Sequence, residues 1–181
     1  MRPAICRLKS SCVIFAVAGS RPIYWDACAF IAHFKGESDK GASALKHLSE
    51  MAADMEASKL VIATSVLTMT ELLQCKFTLP QRAMILSLKS KPNLQFVEVS
   101  MRMAEHASEI RNHYVQEGRS ILTPDAIHLA TALSLDADTF YTFDDKLLGL
   151  GSLVIGEPLK IAKPDFAGQL PLSDETDTPI A

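Results

Sequence analysis

The chain has 181 residues, of which 48% are hydrophobic and 22% are charged, and its formal net charge is -3. This length favours one domain with a well-formed core, and the composition excludes a disordered chain. The negative charge argues against a broad basic surface for holding nucleic acid, although a bound metal ion can supply positive charge locally.

The first 21 residues form an N-terminal extension whose role the sequence leaves open. Arg7 and Lys9 precede an apolar run at residues 12–18, which ends in the signal-peptidase-like pattern Ala16-Val17-Ala18. This run is too short to cross a bilayer, so we expect no membrane association. We expect a cytoplasmic protein despite the signal-like pattern; an added strand and a start codon assigned too early are the alternatives to export.

From residue 22 onward, short β-like runs alternate with longer helical patterns. The predicted strands are residues 23–25, 60–63, 94–99 and 139–143, with a fifth, edge strand at 153–155. The predicted helices are residues 40–57, 65–76, a short one beginning near Pro80, 101–117, 123–135 and 146–150. This alternation predicts the α/β class, with a central parallel sheet in a domain over residues 22–160 and a loose C-terminal tail over 161–181.

Four cysteines are present, and they show no metal-binding pattern. No two of them form a CxxC pair, and their spacing is not that of a zinc finger. The four are Cys6, Cys12, Cys28 and Cys75. We therefore expect reduced thiols that are mostly buried.

Five acidic residues stand where the predicted strands end or the following helices run. Asp26 follows the first strand, Asp144 and Asp145 follow the fourth, Asp125 lies in the first turn of the helix from Thr123, and Glu71 lies in the helix after the second strand. In open α/β sheets, ligands bind outside the carboxyl ends of the strands. One interpretation of this pattern is therefore a single acidic site at that edge of the sheet.

Crowded carboxylates repel one another and stay partly protonated unless a cation neutralises them. Oxygen ligands without histidine or cysteine suit Mg²⁺ or Mn²⁺ and not zinc. Such a site fits metal-assisted hydrolysis of a phosphodiester bond.

Each acid also has a simpler explanation. Asp125 is favoured near a helix N-terminus by the helix dipole, and the Asp144–Asp145 pair can cap the next helix. Glu71 can be an ordinary surface residue. Asp26 is the most informative, because it lies between two apolar runs where an unpaired carboxylate is costly.

Four stretches of the chain resemble the sequence blocks of PIN domains. They are residues 24–30, 63–73, 122–133 and 141–148, read as YWDACAF, ATSVLTMTELL, LTPDAIHLATAL and YTFDDKLL. The acids of the blocks fall at Asp26, Glu71, Asp125 and Asp144. The resemblance is closest in style to the toxin components of VapBC toxin–antitoxin pairs.

This resemblance implies a three-layer α/β/α sandwich, Mg²⁺- or Mn²⁺-dependent endoribonuclease activity on an RNA substrate, a homodimer and inhibition by a small antitoxin. Asp26, Glu71, Asp125 and Asp144 would then be catalytic metal ligands or would hold ligand waters. Thr142 would be a supporting hydroxyl, and Asp145 is the rival of Asp144, since a one-residue shift exchanges them.

One position departs from the family pattern, and it keeps other readings open. Cys28 stands where the family usually has serine or threonine, and a thiol is a poor substitute for that hydroxyl. A catalytically weakened PIN-like module that binds RNA or protein is therefore the alternative. A haloacid-dehalogenase-type phosphatase ranks third, because it would need an aspartate at Cys28. His128 is expected to have a structural or surface role.

Overall fold

The computed structural model describes residues 21–165. The N-terminal apolar run at residues 12–18, Cys6, Cys12 and the tail after residue 165 lie outside this range, so the predictions for them stay predictions. Along the part that the structure describes, none of the helices combines the length and the apolar character that a membrane span requires.

A five-stranded parallel sheet forms the centre of the domain. Its strands, in the order in which they pair, are β3 (Leu94–Val97), β2 (Ile62–Ser65), β1 (Ile23–Trp25), β4 (Thr139–Tyr141) and β7 (Lys160–Ala162). The chain passes from β1 to β2 and β3 on one side, and later to β4 and β7 on the other. The order therefore reverses between β1 and β4, and this is the switch point where α/β sheets open a crevice.

Helices cover both faces of this sheet. They are α1 (Ala27–Lys35), α2 (Ala42–Glu56), α3 (Leu67–Gln74), α4 (Leu79–Ser87), α5 (Met101–Gln116), α6 (Thr123–Ser134) and the short α7 (Asp145–Leu148), with 3-10 turns at Ser38–Lys40 and Leu88–Ser90. The predicted α/β sandwich is confirmed, and most predicted elements lie within three residues of the observed bounds.

Neighbouring residues of β1 point to opposite faces and build two separate cores. Tyr24 is fully buried with α5 and α6, where its ring stacks on Phe140 at a centroid distance of 5.1 Å. Trp25 is 1% exposed and packs with α1, α2 and Tyr141 on the other face. The aromatic side chains of these strands therefore fill the core.

The starts of α4 and α6 show how well local sequence signals predict where a helix begins and which residue caps it. Thr78 caps α4 in a reciprocal capping box with Gln81, and Pro80 lies in the first turn as predicted. Helix α6 begins at Thr123, the first residue of the predicted helix over 123–135, but the Thr123-Pro124 pair, which predicts that Thr123 is the N-cap, does not act in that way. Thr123 is already helical, and Leu122, in an extended conformation, precedes it without a side-chain cap.

The end of the domain differs from the prediction. The expected edge strand at 153–155 instead forms a separate hairpin, β5 (Leu153–Val154) with β6 (Glu157–Pro158), because Ile155 and Gly156 have φ angles of 45° and 84° and reverse the chain. The edge position belongs to β7, which pairs with β4. The sheet thus runs across the domain boundary expected after residue 160.

We expect Ile110→Ala to lower the free energy of unfolding by about 2–5 kcal/mol, because Ile110 is fully buried between α5 and the sheet. Val115→Ala, on the same helix, is the matched control; Val115 is 60% exposed, so its change should stay within about 0.5 kcal/mol. Urea unfolding of both variants checks this. Equal stability of the two variants would contradict the assignment of this core.

Candidate functional site

The candidate site lies at the carboxyl edge of the sheet, where the strand order reverses. Asp26 follows β1 directly, and its main-chain N–H donates to the carbonyl of Tyr141 at the end of β4 at 3.3 Å. Thr142 and Asp144 continue from β4 on the same edge. The two neighbouring strands therefore deliver Asp26 and Asp144 to one crevice.

Asp26 is a buried carboxylate, with 6% of its surface exposed. Its Oδ1 accepts a hydrogen bond from the main-chain N–H of Ala29 at 3.0 Å and so caps α1. Burial raises the pKa of Asp26, and the surrounding hydrogen bonds oppose that shift only in part. The fold therefore holds this carboxyl group in place at an electrostatic cost.

Cys28 occupies the space between the two strand ends. Its Sγ lies 3.0 and 3.1 Å from the carboxylate oxygens of Asp26 and 3.4 Å from the Thr142 hydroxyl, and it accepts the main-chain N–H of Phe143 at 3.0 Å. Burial, followed by the Asp26 charge, raises the pKa of Cys28, so the thiol stays protonated. Its S–H therefore donates a hydrogen bond to the Asp26 carboxylate. The thiol thus makes the contacts of an orienting hydroxyl.

Cys75 is the other cysteine within residues 21–165. It is free like Cys28, as expected, but both are half-buried, whereas the sequence predicted mostly buried thiols.

Asp144 and Asp145 point to different surroundings. The main-chain N–H of Asp144 donates to Thr142 Oγ1 at 2.9 Å, and its Oδ1 accepts the N–H of Lys146 at 2.7 Å as the cap of α7. The side chain of Asp145 is 89% exposed and pairs with Lys163 at 3.2 Å. Asp144 therefore faces the crevice, and Asp145 faces solvent.

Asp125 reaches the same crevice from the first turn of α6. Burial is the main cause that raises the pKa of Asp125, and the charge of Asp144 is the second. Asp26 acts in the same direction, and His128 opposes it only when its ring is protonated. Asp125 is therefore repelled by both other aspartates, as the crowding argument predicts.

Glu71 approaches from α3 and meets a histidine. Its Oε2 lies 2.9 Å from Nε2 of His128, and 29% of the Glu71 side chain is exposed. His128 is 2% exposed, and its Nδ1 lies 2.7 Å from the hydroxyl of Tyr24. His128 thus belongs to the candidate site. Its signal in the sequence was its position three residues after Asp125 on an otherwise apolar helix.

Asp125 interacts electrostatically with Asp26 and Asp144 at the carboxyl edge of the sheet, and Glu71 joins this group through His128. Within residues 21–165, no three acidic, histidine or cysteine side chains stand close enough together to enclose a metal ion by themselves. Over the same residues, no lysine or arginine pairs with Asp26, Asp125 or Asp144. Mg²⁺ usually binds through one or two carboxylates and keeps several waters, so this open oxygen-donor set fits it.

A shallow surface cavity of about 270 Å³ adjoins Asp145, next to Asp144. Arg119 and Lys146 contribute positive charge to its wall, and Ser120 and Gly149 complete much of the lining. The guanidinium of Arg119 donates to the carbonyl of Gly149 at 2.7 Å, which fixes it at the rim. Two cations thus line the cavity that adjoins the exposed Asp145.

We expect Cys28→Ala to lower the free energy of unfolding by about 1–3 kcal/mol, because it leaves the N–H of Phe143 without its acceptor and removes a donor to Asp26. Cys28→Ser should lose less, since a hydroxyl both donates and accepts. Cys75→Ala removes the other half-buried thiol, outside the crevice, and is the control. If Cys28→Ala unfolds at the same urea concentration as wild type, the thiol contacts contribute nothing.

We expect Asp125→Asn to stabilise the metal-free protein at pH 7 but not near pH 3. In the unfolded chain Asp125 ionises near pH 3.9, whereas its pKa is raised in the folded protein, so ionisation costs stability as the pH rises above about 4. Urea unfolding in chelator at both pH values checks this. Mg²⁺ should then stabilise wild type more than the variant. If wild type and Asp125→Asn are equally stable at each of the two pH values, burial and the Asp144 charge do not raise the pKa of Asp125.

Comparison with known proteins shows the family of this chain. The sequence model of the PIN domain matches residues 23–151. No protein of curated function matches the sequence significantly.

Several solved structures share the fold. A VapBC2 complex from Rickettsia felis bound to a promoter DNA fragment aligns with a TM-score of 0.58 at 16% identity, over 79% of this chain and 98% of that one. The DNA-bound VapBC of Salmonella typhimurium aligns at 0.56 and 18% identity, over 80% and 98% of the two chains. The Mycobacterium tuberculosis toxin VapC20, described as cleaving the sarcin-ricin loop, aligns at 0.55 and 18% identity, over 75% and 98%.

These identities are low, so the structures show a shared fold. The sequence match, in contrast, spans most of the chain and includes Asp26, Glu71, Asp125 and Asp144. The chain belongs to the PIN domain family.

Proposed function

We propose that this protein is a divalent-metal-dependent endoribonuclease that hydrolyses phosphodiester bonds of RNA. The observation that carries the proposal is the group of aspartates at the switch point of the sheet. Asp144 and Asp26 both repel Asp125, and none of the three has a lysine or arginine partner among the described residues. Family membership supports nuclease chemistry, and the fold is shared with a toxin described as cleaving RNA.

In this proposal Asp26, Glu71, Asp125 and Asp144 hold the metal directly or through water, and Thr142 supports Asp144. A bound Mg²⁺ or Mn²⁺ ion would activate water and neutralise charge on the phosphate. The exposed Asp145, paired with Lys163, is not assigned a role.

The chain's own contribution is to hold these groups before the substrate arrives. The N–H of Ala29 and the thiol of Cys28 fix the Asp26 carboxylate, and the hydroxyl of Thr142 fixes the main chain at Asp144. A fixed arrangement of charges needs no reorganisation at the moment of reaction. Arg119 and Lys146, at the rim, would contact phosphates that flank the scissile bond.

We also propose that the protein is the toxin of a toxin–antitoxin pair, forms a homodimer and acts in the cytoplasm. The VapBC structures that share its fold contain a toxin and its antitoxin. The helix α4 exposes Leu79, Met84 and Leu86, at 84%, 54% and 49% of their surfaces. Apolar side chains exposed together on one helix fit a protein partner.

A second candidate function is a module that binds RNA or protein without cutting. Two observations favour it: no three candidate ligands enclose an ion among the residues that the structure describes, and a thiol replaces the usual hydroxyl at Cys28. The two functions predict opposite results for a metal-dependent cleavage assay.

We expect expression of the wild-type protein in bacteria lacking an antitoxin to create discrete new RNA 5′ ends. Asp125→Asn and Asp144→Asn should lower cleavage by about a hundredfold or more, equivalent to about 2.7 kcal/mol of lost transition-state stabilisation. Asp145→Asn is the matched control, because it removes the neighbouring, exposed carboxylate, and it should cleave like wild type.

The same comparison with purified proteins, total RNA and Mg²⁺ or chelator shows whether the metal is required. Equal RNA profiles for wild type and Asp125→Asn, with both proteins folded, would favour the binding module. Loss of cleavage in Asp145→Asn but not in Asp144→Asn would reverse the assignment of the last acid.

A further inference from the structure

A buried chain of hydrogen bonds runs from the end of β2 to Glu71. The main-chain N–H of Ser65 donates to the hydroxyl oxygen of Tyr24 at 2.9 Å, and that oxygen lies 2.7 Å from Nδ1 of His128. Nε2 of the same ring lies 2.9 Å from Oε2 of Glu71. Ser65 and Tyr24 are 0% exposed and His128 is 2% exposed, so the chain is shielded from water until it reaches the glutamate.

The Glu71 carboxylate can only accept, so Nε2 of His128 donates to it. The Tyr24 oxygen accepts the N–H of Ser65, and its own hydroxyl can donate to Nδ1 of His128. A neutral ring that accepts at Nδ1 carries its hydrogen on Nε2, and Nε2 then donates to the carboxylate of Glu71. Every polar atom in this chain has a partner, which a buried polar network requires.

The geometry also restricts the ring and the glutamate. The ring of His128 stands edge-on to Tyr24, with centroids 5.9 Å apart and an interplanar angle of 69°. Glu71 is a long side chain on α3, partly open to solvent, and a free glutamate loses substantial rotamer entropy when it is fixed. A rigid donor on α6, one turn after Asp125, holds the glutamate beside the crevice.

We propose that His128 is a positioning residue: its Nε2–H holds the Glu71 carboxylate toward the acidic crevice, and Tyr24 sets the tautomer that makes this possible. The inference rests on the proposed function, because it takes Glu71 to be a metal ligand. It assigns His128 no contact with substrate or metal. Groups that orient a metal ligand typically change metal affinity by about 10- to 100-fold when they are removed.

The test measures Mn²⁺ binding to the full chain by electron paramagnetic resonance of the free ion. His128→Leu should weaken Mn²⁺ binding by about tenfold or more, and His128→Gln, whose amide can donate to Glu71, should recover part of the loss. Tyr24→Phe should lie between His128→Leu and wild type.

Tyr114→Phe is the matched control for Tyr24→Phe. Tyr114 is also a buried tyrosine, 4% exposed, and within residues 21–165 its hydroxyl makes hydrogen bonds only to main-chain groups of Leu153 and Ile155. It should bind Mn²⁺ like wild type. Circular dichroism and cooperative urea unfolding identify the variants that fold, and if His128→Leu does not fold, the Tyr24→Phe and Tyr114→Phe comparison decides.

A second readout separates positioning from catalysis. The nitrogen chemical shifts of the His128 ring should show the Nε2–H tautomer in wild type and a mixture in Tyr24→Phe. In a cleavage assay, His128→Leu should need more Mg²⁺ for half-maximal rate but approach the wild-type rate at saturating Mg²⁺.

The outcomes are distinguishable. If Asp125→Asn loses Mn²⁺ binding but folded His128→Leu binds like wild type, the positioning role is overturned and the metal site stands. If wild type does not bind Mn²⁺, or Asp125→Asn binds equally well, the proposed metal site fails and the positioning role fails with it. A wild-type ring with its hydrogen on Nδ1 also overturns the positioning role.

Discussion

Asp26 is buried at the end of the central strand, hydrogen-bonded by the Ala29 N–H and the Cys28 thiol, and no lysine or arginine of the described chain pairs with it. A carboxylate in this position is costly to ionise, because burial removes its water, and His128 offers a counter-charge only when it is protonated. The surrounding structure maintains it all the same: the capping bond fixes the start of α1, and the thiol links it to the end of β4. In the proposed function, a bound cation offsets this cost.

The topology explains why the other acids gather around Asp26. The strand order reverses between β1 and β4, so these two adjacent strands send their continuing chains in different directions and leave a crevice between them. Thr142 and Asp144 continue from β4, and α6 delivers Asp125 with its N-terminal turn toward the same edge. α3 then brings Glu71 within reach through His128. The crevice therefore follows from the strand order of the parallel sheet, whichever side chains line it.

The sequence predicts the parts of this arrangement that depend on local signals. Alternating strands and helices give the α/β class, and acids directly after strands or in the first turn of a helix give Asp26, Asp125 and Asp144. The choice between Asp144 and Asp145 depends on a turn held by Thr142 Oγ1, which periodicity does not describe. The contacts of His128 are also hidden from the sequence, because its partners lie 104 and 57 residues away along the chain. The hairpin at β5 and β6 was missed because two residues of positive φ, one of them Ile155, reverse a run that looks like a simple strand.

The central claim is that the acidic crevice is a metal site, and crystals grown with Mn²⁺ test it most directly. Anomalous scattering locates manganese without any assumption about activity, substrate or partner. The account predicts a peak at the carboxyl ends of β1 and β4, within coordination distance, direct or through water, of carboxylates of Asp26, Asp125 and Asp144. A crystal that binds manganese elsewhere, or shows no peak in the crevice at millimolar Mn²⁺, would contradict it.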